Sequence, residues 1–142
     1  YYLKPEMSIE KVTDALLKEL EENKYNLIIL NYANCDMVGH TGNLEAAIKA
    51  VEAIDHYLGK VYEKIKELGG TLLVTADHGN CELMIDEYNN IITSHTTNKV
   101  PFILCDKKYQ LKEGKLSDIA PTIIELLSLE KPGEMTGETL IG

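Results

Sequence analysis

Five side chains with metal-ligand chemistry fall in three short polar stretches of the 142-residue chain: Asp36 and His40 in NYANCDMVGHTGN, Asp77 and His78 in TADHGN, and His95 in TSHTTN. Three of the chain's four histidines lie there. Imidazole together with carboxylate suits divalent ions such as Mn²⁺, Zn²⁺ or Fe²⁺, and paired divalent ions serve phosphoryl transfer. The sharpest chemical reading of the sequence is a two-metal phosphoryl-transfer site.

Each stretch also has a plainer reading. Asp36 and His40 are four residues apart, so one helical turn would set them on one face. Gly39 and Gly42 argue for a turn instead, and an Asp cap with a surface His is the alternative. Asp77-His78-Gly79 follows TLLVT, where a buried strand would break into a loop. Adjacent residues diverge in an extended chain, so the pair could face two ions; an Asx-turn with a hydrogen-bonded His is the alternative. His95 sits among Ser, Thr and Asn and reads equally as a hydrogen-bonded loop histidine. Ser94 beside it is a poor nucleophile–base pair, because sequence neighbours seldom face each other. His56 lies off the apolar stripe of a long helix, near Glu52 and Lys60, and reads as a solvated residue.

The elements that must position these groups follow an alternating pattern. Tyr1 to Met7 reads as an extended lead-in, and Ser8 as the cap of a helix carrying Val12, Ala15, Leu16 and Leu20. Leu27 to Leu30 reads as a buried parallel strand. From Asn43 a long helix carries Leu44, Ala47, Ile48, Val51, Ile54, Leu58, Val61, Ile65 and Leu68 as one apolar stripe, ended by Gly69-Gly70. Thr71 to Thr75 is a strand, Glu82 to Thr93 a hairpin turning at Asn89-Asn90, and Val100 to Leu104 a further strand. A last helix starts at Ser117 or Asp118 with Ile119, Ile123, Ile124 and Leu127 inward, Pro121 falling in or near its first turn. The tail GEMTGETLIG has no usable period. Strand, motif, helix, strand, motif is the βαβ order of a parallel sheet flanked by helices, and ligands bind at the carboxyl ends of such strands.

Composition narrows the classes further. A net charge of −9 argues against nonspecific binding to nucleic acid or anionic membrane. All fourteen basic residues are Lys. Bidentate phosphate recognition usually uses Arg, so a phosphate clamp is expected outside these residues. Cys35, Cys81 and Cys105 are odd in number and lack CxxC spacing, which argues for a reduced, cytoplasmic protein rather than a disulfide scaffold. Cys35 and Cys81 flank the polar motifs and read as small half-buried residues, a ligand role being the alternative. No apolar run is long enough to span a bilayer, no signal peptide is evident, and the start at Tyr1 is expected of a piece of a longer chain.

Taken in order, the three stretches resemble the cofactor-independent phosphoglycerate mutases of the alkaline-phosphatase superfamily. NYANCDMVGHTGN, TADHGN and SHTTNKVPFIL look like that family's metal-binding blocks, YYLKPEMS like its Y-D-L-x-P-E-M segment and EMTGETL like its C-terminus. DMVGHTG is specific to the family, whereas TADHG recurs across the superfamily. Tyr2 stands where the pattern has Asp and Cys35 where Pro is common; neither is a ligand position. The resemblance implies an α/β fold forming part of an alkaline-phosphatase-like, mostly parallel sheet flanked by helices. Residues 1–142 would be the C-terminal segment of the metal-binding domain, without its N-terminal segment or the separate substrate-binding domain. It implies two divalent ions, manganese in this family's pattern, with Asp36, His40 and His95 matching the ligands of one and Asp77 and His78 those of the other. The catalytic serine would lie outside this chain. The implied reaction interconverts 3-phosphoglycerate and 2-phosphoglycerate through a phosphoserine, and the expected partners are that substrate and the missing part of the same chain, with no nucleic acid and no membrane.

Two other classes compete. Another superfamily member, such as a phosphopentomutase, sulfatase or phosphatase, fits TADHGN but fits NCDMVGHTGN poorly. A non-catalytic metal-binding module suits an acidic single-domain chain, but structural sites usually close four ligands on one ion rather than sharing five between two.

Overall fold

A computed structural model describes residues 3–142. They form two compact units, one comprising the chain up to Gly70 together with His78–Pro101, the other Thr71–Asp77 with Phe102–Gly142.

The first unit is helical. Residues 3–8 form turns rather than the expected extended lead-in, with Met7 N–H bonded to the Lys4 carbonyl. Tyr1 and Tyr2, including the Tyr2 departure from the family pattern, lie outside the described residues. Helix α1 spans Ile9–Glu22 and closes at Asn23 in the left-handed conformation (φ 51°). Ser8 occupies the cap position but its side chain makes no capping bond. The buried face is Ile9, Thr13 and Leu16, so the predicted stripe is rotated and Ala15 is exposed. Thr13 displaces an apolar residue from that face because its hydroxyl is satisfied by Tyr32 Oη at 2.6 Å.

Helix α2 is short, Asn34–Gly39, and contains Asp36. Asn34 anchors its start by donating its side-chain amide to the carbonyls of Pro5 (2.9 Å) and Glu6 (2.8 Å). Helix α3 runs Leu44–Glu67, with Asn43 Oδ1 accepting the Ala46 N–H. Its predicted stripe divides in the structure. Ala46, Ala47, Ala50 and Val61 are buried, whereas Leu44, Ile48 and Val51 are about half exposed. Three alanines on one face let α2 approach closely, and the core there is Val38, Ala46, Ala47, Ala50 and Met84, with Cys35 and Cys81 packed against it.

Leu27 to Leu30 is not a buried strand. The run forms no strand, and Ile29 is 82% exposed. Apolarity marked the segment as strand-like, but among the described residues no neighbouring strand supplies the hydrogen-bonded ladder that would bury it. The expected hairpin survives in reduced form, as an Ile85–Ile91 bridge around a turn with Asn89 at φ 64°.

The second unit carries the sheet. Strands β1 (Leu73–Thr75) and β2 (Phe102–Leu104) pair in the register Leu73–Leu104, Val74–Ile103 and Thr75–Phe102. The pairing is antiparallel, and the parallel pairing expected of Leu27–Leu30 with Thr71–Thr75 does not appear among the described residues. The alternation of elements could not fix strand direction, because no helix lies between β1 and β2 to return the chain. After a 3₁₀ turn, Leu116–Asp118, helix α4 spans Ile119–Leu126. Its buried positions are Pro121 and Thr122, while Ile119, Ile123, Ile124 and Leu127 are only half-buried. The unperiodic tail is tied down by polar groups. Thr122 Oγ1 donates to the Asp118 carbonyl and accepts the Leu140 N–H, and Asp118 Oδ1 accepts the Glu138 N–H. The chain is thus α/β, and among the described residues no helix is long and apolar enough to cross a membrane.

Candidate metal centre

Three segments of the first unit converge: α2, the turn at His78–Cys81 and the loop around His95. Asp36 and His40 share a face because α2 is regular after all, with His40 closing it and bonding its N–H to the Asp36 carbonyl. His78 and His95 are brought side by side by an antiparallel bridge between Gly79 and Thr96, the residues that follow them. Gly79 is required there: a Cβ would lie 2.8 Å from Cδ of Glu82.

Asp36 Oδ1, His40 Nε2 and His95 Nε2 form a triangle. The separations are 3.1 Å from Asp36 to His40, 3.0 Å from Asp36 to His95 and 3.1 Å between the two ring nitrogens. The His78 ring stacks on His95 with centroids 3.6 Å apart, and its Nε2 lies 3.7 Å from the same carboxylate oxygen. Asp36, His78 and His95 present ligand atoms all within 4.8 Å of one another. His40 Nδ1 lies 2.7 Å from the Thr93 carbonyl, so that nitrogen carries the proton and Nε2 presents a lone pair to the cluster. Crowding a carboxylate oxygen and imidazole nitrogens together is unfavourable unless a proton or cation lies among them. The donor set therefore fits a divalent ion of the imidazole- and carboxylate-binding kind.

A supporting layer surrounds these groups. Asn80 is buried and donates its side-chain amide to Asp36 Oδ1 at 3.1 Å, while its Oδ1 has no hydrogen-bond partner among the described residues. Burial pushes the Asp36 carboxyl up, but the Asn80 amide and the imidazoles of His40, His95 and His78 outweigh it and hold the group below its ordinary value. Glu82 accepts the Asn80 backbone N–H, the Thr96 hydroxyl and the Asn98 amide, joining the His78 turn to the His95 loop. Those bonds, the Thr96 hydroxyl foremost, hold its carboxyl below the usual range.

Asp77 belongs to the other unit and is exposed. His56 is exposed on α3, with the Tyr57 ring edge-on at 5.0 Å, and takes no part in the cluster. Ser94 is exposed. Sequence reasoning missed Asn80 and Glu82. Both stand in or beside the TADHGN motif, and the available signal was two polar groups next to a ligand-bearing turn.

A cluster of side chains able to hold a metal ion, within an α/β chain, points to a metalloprotein, and the sequence comparison gives the family. The chain belongs to the metalloenzyme superfamily, whose model matches residues 1–131. It is 55% identical over 146 residues to 2,3-bisphosphoglycerate-independent phosphoglycerate mutase of Clostridioides difficile (strain 630), covering 99% of this chain and 29% of that protein. It is 56% identical to the protein of the same name from Clostridium acetobutylicum, covering 99% and 28%. A crystal structure of Leishmania mexicana phosphoglycerate mutase at low cobalt concentration matches with a TM-score of 0.90 at 33% identity, over 100% of this chain and 29% of that one. The chain thus spans under a third of the length of the relatives it matches.

Proposed function

We propose that these residues are the metal-ligand-bearing, C-terminal part of a 2,3-bisphosphoglycerate-independent phosphoglycerate mutase, a cytoplasmic enzyme that interconverts 3-phosphoglycerate and 2-phosphoglycerate. The observation that carries the reading is the triangle of Asp36, His40 and His95 donor atoms with 3.0–3.1 Å sides, in a chain 55% identical to an enzyme of that name. Asp36, His40 and His95 hold one divalent ion, and Asp77 and His78 contribute to a second, manganese being the family's expected metal. His78 suits a neighbouring ion, since its Nε2 is 3.7 Å from Asp36 Oδ1 and outside the triangle, and paired ions lie about 3.5–4 Å apart.

When bound, the ions supply activation of the attacking hydroxyl and neutralise charge on the phosphoryl oxygens. This chain's residues orient. Thr93 fixes the His40 tautomer, Asn80 keeps Asp36 ionised and aimed, and Glu82 holds the two histidine-bearing loops in register. The serine that carries phosphate and the arginines that grip the substrate come from the rest of the protein, in keeping with the absence of Arg here. The same remaining chain would pair with Leu27–Leu30 and complete a mostly parallel, alkaline-phosphatase-like sheet. That would cover the apolar run that is exposed here.

The test is conversion of 3-phosphoglycerate to 2-phosphoglycerate with added Mn²⁺. The full-length protein turns over, residues 1–142 by themselves do not, and Asp77→Ala in the full-length protein lowers kcat by about 10²-fold or more, as for loss of a major electrostatic stabiliser. Turnover by residues 1–142, or a fully active Asp77→Ala enzyme, overturns the assignment.

A further inference from the structure

Cys35 and Cys81 are 46 residues apart in sequence and adjacent in the fold. Cys81 Sγ lies 2.7 Å from the Cys35 carbonyl oxygen. Both are half-buried and rest on the same core of Val38, Ala46, Ala47, Ala50 and Met84. Their placement is fixed from two sides. Cys35 lies in α2 immediately before Asp36, and Cys81 follows Asn80, whose amide is bonded to Asp36. Gly39 makes room for this approach, since a Cβ there would lie 3.1 Å from Cys81 Sγ. Neither thiol is among the donor atoms of the cluster described above.

We propose that Cys35 and Cys81 are a reversible dithiol–disulfide site, oxidised by hydroperoxides, that ties the helix carrying Asp36 to the turn carrying His78. The Cys81 thiolate attacks one oxygen of hydrogen peroxide. An S–O bond forms, the O–O bond breaks, and the departing hydroxide takes a proton and leaves as water. The Cys35 sulfur then attacks the sulfenic sulfur of Cys81. An S–S bond forms, the S–O bond breaks, and the second hydroxide takes the proton released by Cys35. Two thiols and one peroxide give one disulfide and two waters, each sulfur being oxidised by one electron and both peroxide oxygens reduced. A dithiol reductant reverses the reaction by exchange. The site rests on the contact of Cys81 with the Cys35 backbone and on their shared core, and is independent of the activity proposed above.

The experiment treats the full-length, metal-loaded protein with hydrogen peroxide, blocks remaining thiols by alkylation and maps peptides without reduction. The expected result is a Cys35-peptide linked to a Cys81-peptide within one chain, lost on treatment with dithiothreitol, while Cys105 is alkylated. Cys35→Ser and Cys81→Ser each remove the linked species. Unreacted Cys35 and Cys81, sulfinic or sulfonic acids on them without a linkage, a linkage to Cys105, or a linkage only between chains overturns the proposal.

Discussion

Asn80→Ala separates ion binding from folding. The substitution removes the amide that donates to Asp36 Oδ1 at 3.1 Å. A hydrogen bond to a charged group contributes about 1.5–3 kcal/mol. The same substitution deletes the buried Asn80 Oδ1, which has no partner among the described residues, and a buried unsatisfied acceptor costs about 1–3 kcal/mol. The two nearly cancel, so the metal-free full-length protein should lose no more than about 1–2 kcal/mol of unfolding free energy. Ion affinity has no such offset. Asn80 orients the Asp36 carboxylate, which faces His40, His78 and His95. Loss of such an outer partner lowers metal affinity about 10–100-fold, equivalent to about 1.4–2.7 kcal/mol. Urea unfolding in the presence of a chelator gives the first quantity, and competition against a Mn²⁺-chelating fluorophore gives the second. Affinity within threefold of the parent protein would refute the role assigned to Asn80. So would a stability loss above about 3 kcal/mol, because the cancellation would then be wrong.

His40→Ala and His95→Ala should each weaken Mn²⁺ binding in the full-length protein by more than about 100-fold, beyond the range for an outer partner, whereas His56→Ala should leave it unchanged; isothermal titration distinguishes them, and equal losses from all three would point to folding instead. Mn²⁺ affinity should fall on acidification, because protons compete for the same Nε2 lone pairs, and a pH-independent titration would exclude imidazole ligation. Gly39→Ala would bring a Cβ to 2.8 Å from Asn80 Cγ; overpacking of this kind costs about 1–3 kcal/mol, read by urea unfolding, with a parallel loss of Mn²⁺ affinity as Asn80 is pushed off Asp36. Asp118 is held below the ordinary carboxylate value by the Glu138 and Lys115 N–H groups, so its contribution to stability is complete above about pH 4 and is lost as pH falls from there through the lower folded value. Asp118→Asn removes that dependence, and thermal unfolding measured against pH should show parent and variant converging in acid.

The candidate ligand motifs stand out in the sequence because their chemistry is carried by residue type. Asp36, His40, His78 and His95 could be singled out without any coordinates, and long-range folding then gathered them into one cluster. Packing direction was less legible. In α1 the apolar count missed Thr13, whose burial depends on a partner 19 residues away. In α3 one continuous stripe became a buried alanine face beside exposed Leu44, Ile48 and Val51. Periodicity reports how apolar a face is, not which part of it meets a neighbour. The direction in which β1 pairs with β2 was not legible either, since it depends on how the intervening loop returns.

His78 and His95 owe their placement to a small register device rather than to regular structure. One bridge, Gly79 to Thr96, sets two loops side by side, and the residues just before the bridge are His78 and His95. A single bridge is weak, because it lacks the neighbouring ladder that makes a strand pair cooperative. Glu82 compensates with three acceptor bonds that span both loops, to the Asn80 N–H, the Thr96 hydroxyl and the Asn98 amide. The carboxylate thereby replaces the missing ladder with charge-assisted bonds, which are stronger than neutral ones. Asn80 continues the chain of contacts from Glu82 to Asp36 and into α2. Each candidate ligand is thus held by at least one polar neighbour outside the cluster: Thr93 for His40, Asn80 for Asp36, and the Glu82 bridge for His78 and His95. Loops held in this way bring His78 and His95 to the Asp36 and His40 side chains of α2, while α3 supplies the platform behind them.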